Sequence, residues 1–117
     1  MRKLKITNSK GAVLADRAAI ADTGAKRRTG LLKHSKLEPG DGLLIRTEGV
    51  HTFGMKFPID VAFLSKSKKI LKIRPNMVRG RIALSLRAHS VLELPAGTLE
   101  STGTLTGDQL VFEEYQG

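Results

Sequence analysis

Five side chains in this sequence are of a type and spacing to carry chemistry: Arg28, His51, Lys56, Asp60 and Glu93. Arg28 stands three and four residues before Leu31 and Leu32, so on a helix it shares their side, where its stem packs and its guanidinium needs an acceptor. Asp60 and Glu93 are the best acceptors, Glu93 because it sits between Leu92 and Leu94. Arginine grips a carboxylate in a rigid two-pronged geometry. Such a pair or triad either pins helix to sheet or, with Lys56, forms a pocket for a small anion. Lys56 and Asp60 are four residues apart, about 13 Å on a straight strand at roughly 3.3 Å per residue. They converge only if Pro58 bends the chain. In a rival reading, Asp60 or His51 serves as the acid/base group of an enzyme of unknown class, Asp60 together with Glu93 as a carboxylate pair.

Other chemistries lack their residues. There is no cysteine, which removes thiol nucleophiles, disulfides and thiolate-held zinc or iron–sulfur centres. His34, His51 and His89 match no local metal-ligand spacing, so neither a metal nor a cofactor is expected. The serines form no Gly-x-Ser-x-Gly elbow, and no glycine-rich phosphate loop or dinucleotide fingerprint occurs.

Charge points to anionic partners. The chain of 117 residues has 20 Lys+Arg against 11 Asp+Glu, a formal net charge of +9, and every basic residue lies before position 90. Ser65 to Ser90 alone contains eight basic residues and no acidic one. A face of that sign attracts polyanions, a small anionic ligand or an acidic partner. Surface lysines also guard sheet edges against aggregation, the plainer explanation. Phe53, Phe57 and Phe63 fall in an apolar strand phase, which leaves only Tyr115 to stack on a base and disfavours single-strand recognition.

The elements that position these groups are mainly strands. Leu4 to Thr7 and Ala12 to Ala15 read as a hairpin about Asn8-Ser9-Lys10-Gly11. Ala25 to His34 is the one helix, opened by Asp22-Thr23-Gly24. Leu43 to Ile45 is a short strand. From Phe53 to Phe63 every odd position is large and apolar, which predicts a long strand bent at Pro58. Ile70 to Ile73 pairs back onto it, and Ile82, Leu84 and Leu86 face inward in a half-buried strand with Arg81, Ala83, Ser85 and Arg87 on a basic outer side. Val91 to Leu94, Gly103 to Leu105 and Leu110 to Glu113 complete the series. About eight short strands with one short helix predict a mainly β domain spanning 1–117, a compact β-sandwich or partly closed barrel.

Five separated motifs in register extend the reading: Arg28-Thr29-Gly30-Leu31-Leu32, Gly42-Leu43-Leu44-Ile45, Thr52-Phe53-Gly54-Met55-Lys56-Phe57-Pro58-Ile59-Asp60, Val91-Leu92-Glu93-Leu94-Pro95-Ala96-Gly97 and Gly107-Asp108. In these the chain resembles the domain of unknown function 192 family of bacteria and archaea, from about Ala18 to Phe112. The resemblance implies a compact, mainly β domain with a helix before the sheet and leaves activity open. Where many members carry Phe-Trp-Met-Lys-Asn-Thr, this chain has Phe53-Gly54-Met55-Lys56-Phe57-Pro58, so any role of that indole is missing. The N-terminal stretch has no apolar run for an export signal or membrane span, and a cytoplasmic monomer or weak dimer is expected. Together these observations predict a binding module for a small anion or acidic partner built on Arg28, Lys56, Asp60, Glu93 and His51.

Overall fold

The computed structural model describes residues 2–21 and 37–117. The predicted helix Ala25 to His34, and Arg28 with it, lie outside the described residues.

Among the described residues nine strands and one short helix follow in order. They are β1 (Arg2–Thr7), β2 (Val13–Ala21), β3 (Asp41–Ile45), β4 (Gly49–His51), β5 (Ile59–Leu64), β6 (Ile70–Met77), β7 (Ile82–Leu84), β8 (Ser90–Pro95), α1 (Thr98–Ser101) and β9 (Val111–Gln116). Seven strands form one sheet in the order β6-β5-β8-β3-β2-β1-β9, and β4 pairs with β7 as a separate ribbon. All neighbours are antiparallel except β2 and β3, which run parallel. The sheet does not close, but it curls far enough that Lys69 bridges Gln109, joining the start of β6 to the segment before β9. This is a mainly β architecture, as the spacing of apolar runs predicts, and it is not a closed barrel.

The first hairpin forms because Asn8 organises its turn. Its Oδ1 accepts the Lys10 and Ala12 amides, both at 3.0 Å, while its Nδ2 donates to the Thr102 carbonyl at 2.9 Å and Thr104 Oγ1 at 3.0 Å. One buried amide thereby fixes a local turn and ties it to a segment more than ninety residues away.

Both faces of the sheet are covered. One face packs Ile6, Ala18, Ala62, Leu64, Leu92 and Leu99, and the other packs Ile59, Val61, Phe63, Met77 and Val91 with Val50 and Ala83 of the ribbon. All six residues of β5 are consequently buried, so its even phase is not the polar face that alternation suggests.

Three expectations are corrected. The run from Phe53 to Phe63 is not one strand, because the Met55 amide closes a turn on the Thr52 carbonyl and Gly54 takes a φ of 79°. Met55, Ile59, Val61 and Phe63 still share one core, with Phe57 packed against it, but Phe53 is turned outward. The phase of β7 is opposite to the one predicted: Ala83 is buried, whereas Ile82, Leu84 and Leu86 are 65%, 52% and 75% exposed. Finally, Gly103 to Leu105 is not a strand, and the turn before it is the helix α1.

Candidate functional site

Asp60 is placed by the centre of the sheet and has no solvent exposure. Its Oδ1 accepts the Asn76 amide at 2.8 Å and its Oδ2 accepts the Leu99 amide at 2.9 Å. Asn76 holds a positive φ of 51° in β6, and Leu99 lies in the first turn of α1, whose cap residue Gly97 has no side chain to offer. A helix start leaves its amides without acceptors, and Asp60 supplies one from a distant strand. Both carboxylate oxygens are thus engaged by backbone amides in a place closed to solvent, and the side chain ties β5 to β6 and α1.

Glu93 is equally buried and occupies the other face. In the β5–β8 ladder Asp60 stands opposite Leu94, and Glu93 opposite Val61. Side chains alternate across a strand, so Asp60 belongs to the face of Ala62 and Leu92 and Glu93 to that of Val61 and Val91. No two-carboxylate centre forms between them. The predicted pairing of Arg28 with either one lies outside the described residues.

Lys56 shares a groove with Arg79, a cation that the sequence groups with the basic residues of 65–90 rather than with Lys56. An open groove of about 410 Å³ is lined by Met55, Lys56, Phe57, Pro58, Val78 and Arg79, with no acidic residue among them. Its architect is Thr52, which is fully buried. The Thr52 hydroxyl donates to the Val78 carbonyl at 2.6 Å and accepts the Arg81 amide at 2.8 Å, while the Thr52 amide donates to the Arg81 carbonyl at 2.9 Å. Residues 78–81 are thereby held beside the turn that carries Phe53 and Lys56. The sequence places Gly54 inside a strand and gives no sign of this turn, and the partners of Thr52 lie 26 to 29 residues on.

His51 ends β4 and stacks on Phe53, ring centroids 5.3 Å apart and 28° between planes. In the ribbon, His51 opposes Ile82 and Gly49 opposes Leu84, so His51, Ile82 and Leu84 share the outward side while Val50 and Ala83 face the core. Lys72 reaches this edge, its Nζ donating to the Leu84 carbonyl at 2.9 Å over the Phe63 ring. Glu48 stands at the far end, where its carbonyl accepts the Ser85 amide. The result is an exposed apolar strip beside Arg79, Arg81 and Arg87, with a basic groove at one end. Among the described residues no three His, Asp or Glu side chains gather as a metal centre would, and no helix is long and apolar enough to cross a membrane.

Comparison with known proteins fits this geometry. The DUF192 family profile, described as Uncharacterized ACR, matches residues 5–112. The chain belongs to the DUF192 family. Two crystal structures share the DUF192 fold seen here. One is a protein described as a candidate transcription regulator from Sinorhizobium meliloti 1021, with a TM-score of 0.83, 23% identity, and coverage of 96% of this chain and 94% of that chain. The other is a protein of unknown function from Novosphingobium aromaticivorans DSM 12444, with a TM-score of 0.79, 20% identity, and coverage of 92% and 82%. No curated protein matches the sequence. At these identities the solved structures speak to the fold alone.

Proposed function

We propose that this DUF192 protein is a binding module for an acidic partner, and that the partner is a protein segment carrying both carboxylates and apolar side chains. The observation that carries the reading is the exposure of Ile82 and Leu84 on the outer side of β7, and of Leu86 in the turn after it, among basic residues. A contiguous exposed apolar patch with a polar rim is the mark of an interaction surface. Its sign is set by the sequence: between Asp60 and Glu93 there is no acidic residue at all. Aliphatic side chains offer nothing to a nucleic-acid backbone or a stacked base, whereas they match apolar anchors of a protein, with Lys56 and Arg79 meeting its carboxylates.

The test is a titration of the whole protein with a labelled peptide alternating glutamate with leucine and phenylalanine, beside an all-glutamate peptide and a single-stranded oligonucleotide. Tightest binding by the mixed peptide, weakened by salt and by Lys56→Glu/Arg79→Glu, supports the reading. Equal affinity for the all-glutamate peptide reduces the surface to a generic polyanion binder. Tighter oligonucleotide binding would assign the Phe53–His51 stack to bases instead.

A further inference from the structure

A second basic site lies in a cavity of about 320 Å³ at one end of the sheet. Its floor is Ile20, Ala21 and Leu44, and its polar wall is formed by the cations Arg46 and Lys68 with the His89 imidazole. The topology explains the convergence. Ala21 ends β2 opposite Ile45 in the parallel β2–β3 pair, so Arg46 emerges just beyond it. β8 runs antiparallel to β3, with Ile45 opposite Val91, which places His89 and the buried Ser90 at the same end. The β5–β6 turn adds Lys68 from the third side, its Nζ 5.5 Å from the centroid of the Phe112 ring.

Three observations mark this cavity as built to receive something. Ile20 and Leu44 are only half-buried although they pack on the main core, so an apolar surface is left facing the cavity. The ion pairs among the described residues are Arg2–Glu114, Arg17–Asp16 and Arg17–Asp41, so within that set neither Arg46 nor Lys68 has a carboxylate partner. His89 is fixed by its amide, which donates to the Leu64 carbonyl at 2.8 Å, while its enclosed Nδ1 has no hydrogen-bond partner among the described residues.

We propose that this cavity binds a small amphiphilic oxyanion: a carboxylate or phosphate headgroup held by Arg46, Lys68 and His89, with a short apolar tail on Ile20, Ala21 and Leu44. Its volume is at the low end of the range of small-molecule pockets, about 300 to 1,000 Å³, which restricts the tail to a short chain or a single ring. The site is separate from the Lys56–Arg79 groove and stands or falls apart from it. Around the imidazole, partial burial and then Arg46, Lys68 and Lys66 all favour the neutral form. A bound anion opposes those charges, so occupancy raises the pKa of His89.

The experiment is an NMR titration of the whole protein with hexanoate, hexyl phosphate, hexanol and inorganic phosphate, following the His89 ring. The expected result is saturable binding of hexanoate or hexyl phosphate with an upward shift of the His89 pKa, hexanol and inorganic phosphate binding at least about tenfold more weakly. Whichever of the two amphiphiles binds more tightly names the headgroup. Arg46→Gln, at an exposed position, should weaken the tighter one by about tenfold while the fold is retained. Hexanol binding as well as hexanoate would reduce the site to an apolar crevice, phosphate binding as well would reduce it to surface charge, and no saturable binding by either amphiphile would overturn it.

Discussion

Asp60 and Glu93 sit one register position apart on neighbouring strands, yet they serve opposite faces of the sheet. Asp60 opposes Leu94 and Glu93 opposes Val61, so one carboxylate is committed to α1 and β6 while the other lies among the residues of the second core. Pleat alternation alone separates two groups that the sequence makes natural partners.

Asp60 holds Asn76 and Leu99 through charge-assisted bonds, each typically contributing about 1.5–3 kcal/mol. Asp60→Asn replaces one acceptor oxygen by a donor and leaves one amide unanswered. The expected loss is about 2 to 3 kcal/mol in urea unfolding, with peptide binding by the folded variant unchanged. A variant as stable as the parent would contradict the architectural role.

Thr52 is tested by Thr52→Val, which keeps the shape and deletes the hydroxyl. The Arg81 amide and the Val78 carbonyl then lose their partner. A cost of about 1–3 kcal/mol follows, together with faster amide exchange at Arg81 and weaker peptide binding in the neighbouring groove.

The inverted phase of β7 gives a paired prediction. Ile82→Ser and Leu86→Ser alter exposed side chains and should change stability by no more than about 0.5 kcal/mol, while reducing binding of the mixed acidic peptide. Ala83→Leu forces extra methylenes against Val50 and should cost about 1–3 kcal/mol. The reverse pattern in thermal or urea unfolding would restore the phase that alternation predicted.

His89 supplies a pH signature. Partial burial, and then the charges of Arg46, Lys68 and Lys66, hold its pKa below the ordinary 6.5. The unfolded chain therefore takes up the proton first as the pH falls through 6.5, and stability declines until the folded pKa is reached, below which the loss is constant. Above neutrality the group contributes nothing. Unfolding midpoints measured at intervals from pH 8 to pH 4 should fall less steeply for His89→Gln; an identical profile would show that the imidazole does not carry this linkage.

The sequence by itself determined the mainly β class, the hairpin at Asn8, the family and the apolar set of Met55, Ile59, Val61 and Phe63. These rest on local rules, namely turn chemistry and period-two burial, which a chain cannot express without the corresponding structure. Gly54 was legible as a departure from the family string, but that it turns Phe53 out of the core was decided by the turn it makes with Thr52. For Ile82, Leu84 and Leu86 the alternation was visible and its direction was not. Period two states that two faces differ, and only the ribbon's docking through Val50 and Ala83 chose which one the core would take. The same holds for the charges. Lys56 meets Arg79 because Thr52 ties two loops together, and Arg46, Lys68 and His89 meet because strand order brings three chain-distant ends to one side of the sheet. Such convergence depends on which strands are neighbours, a long-range property that no local spacing encodes.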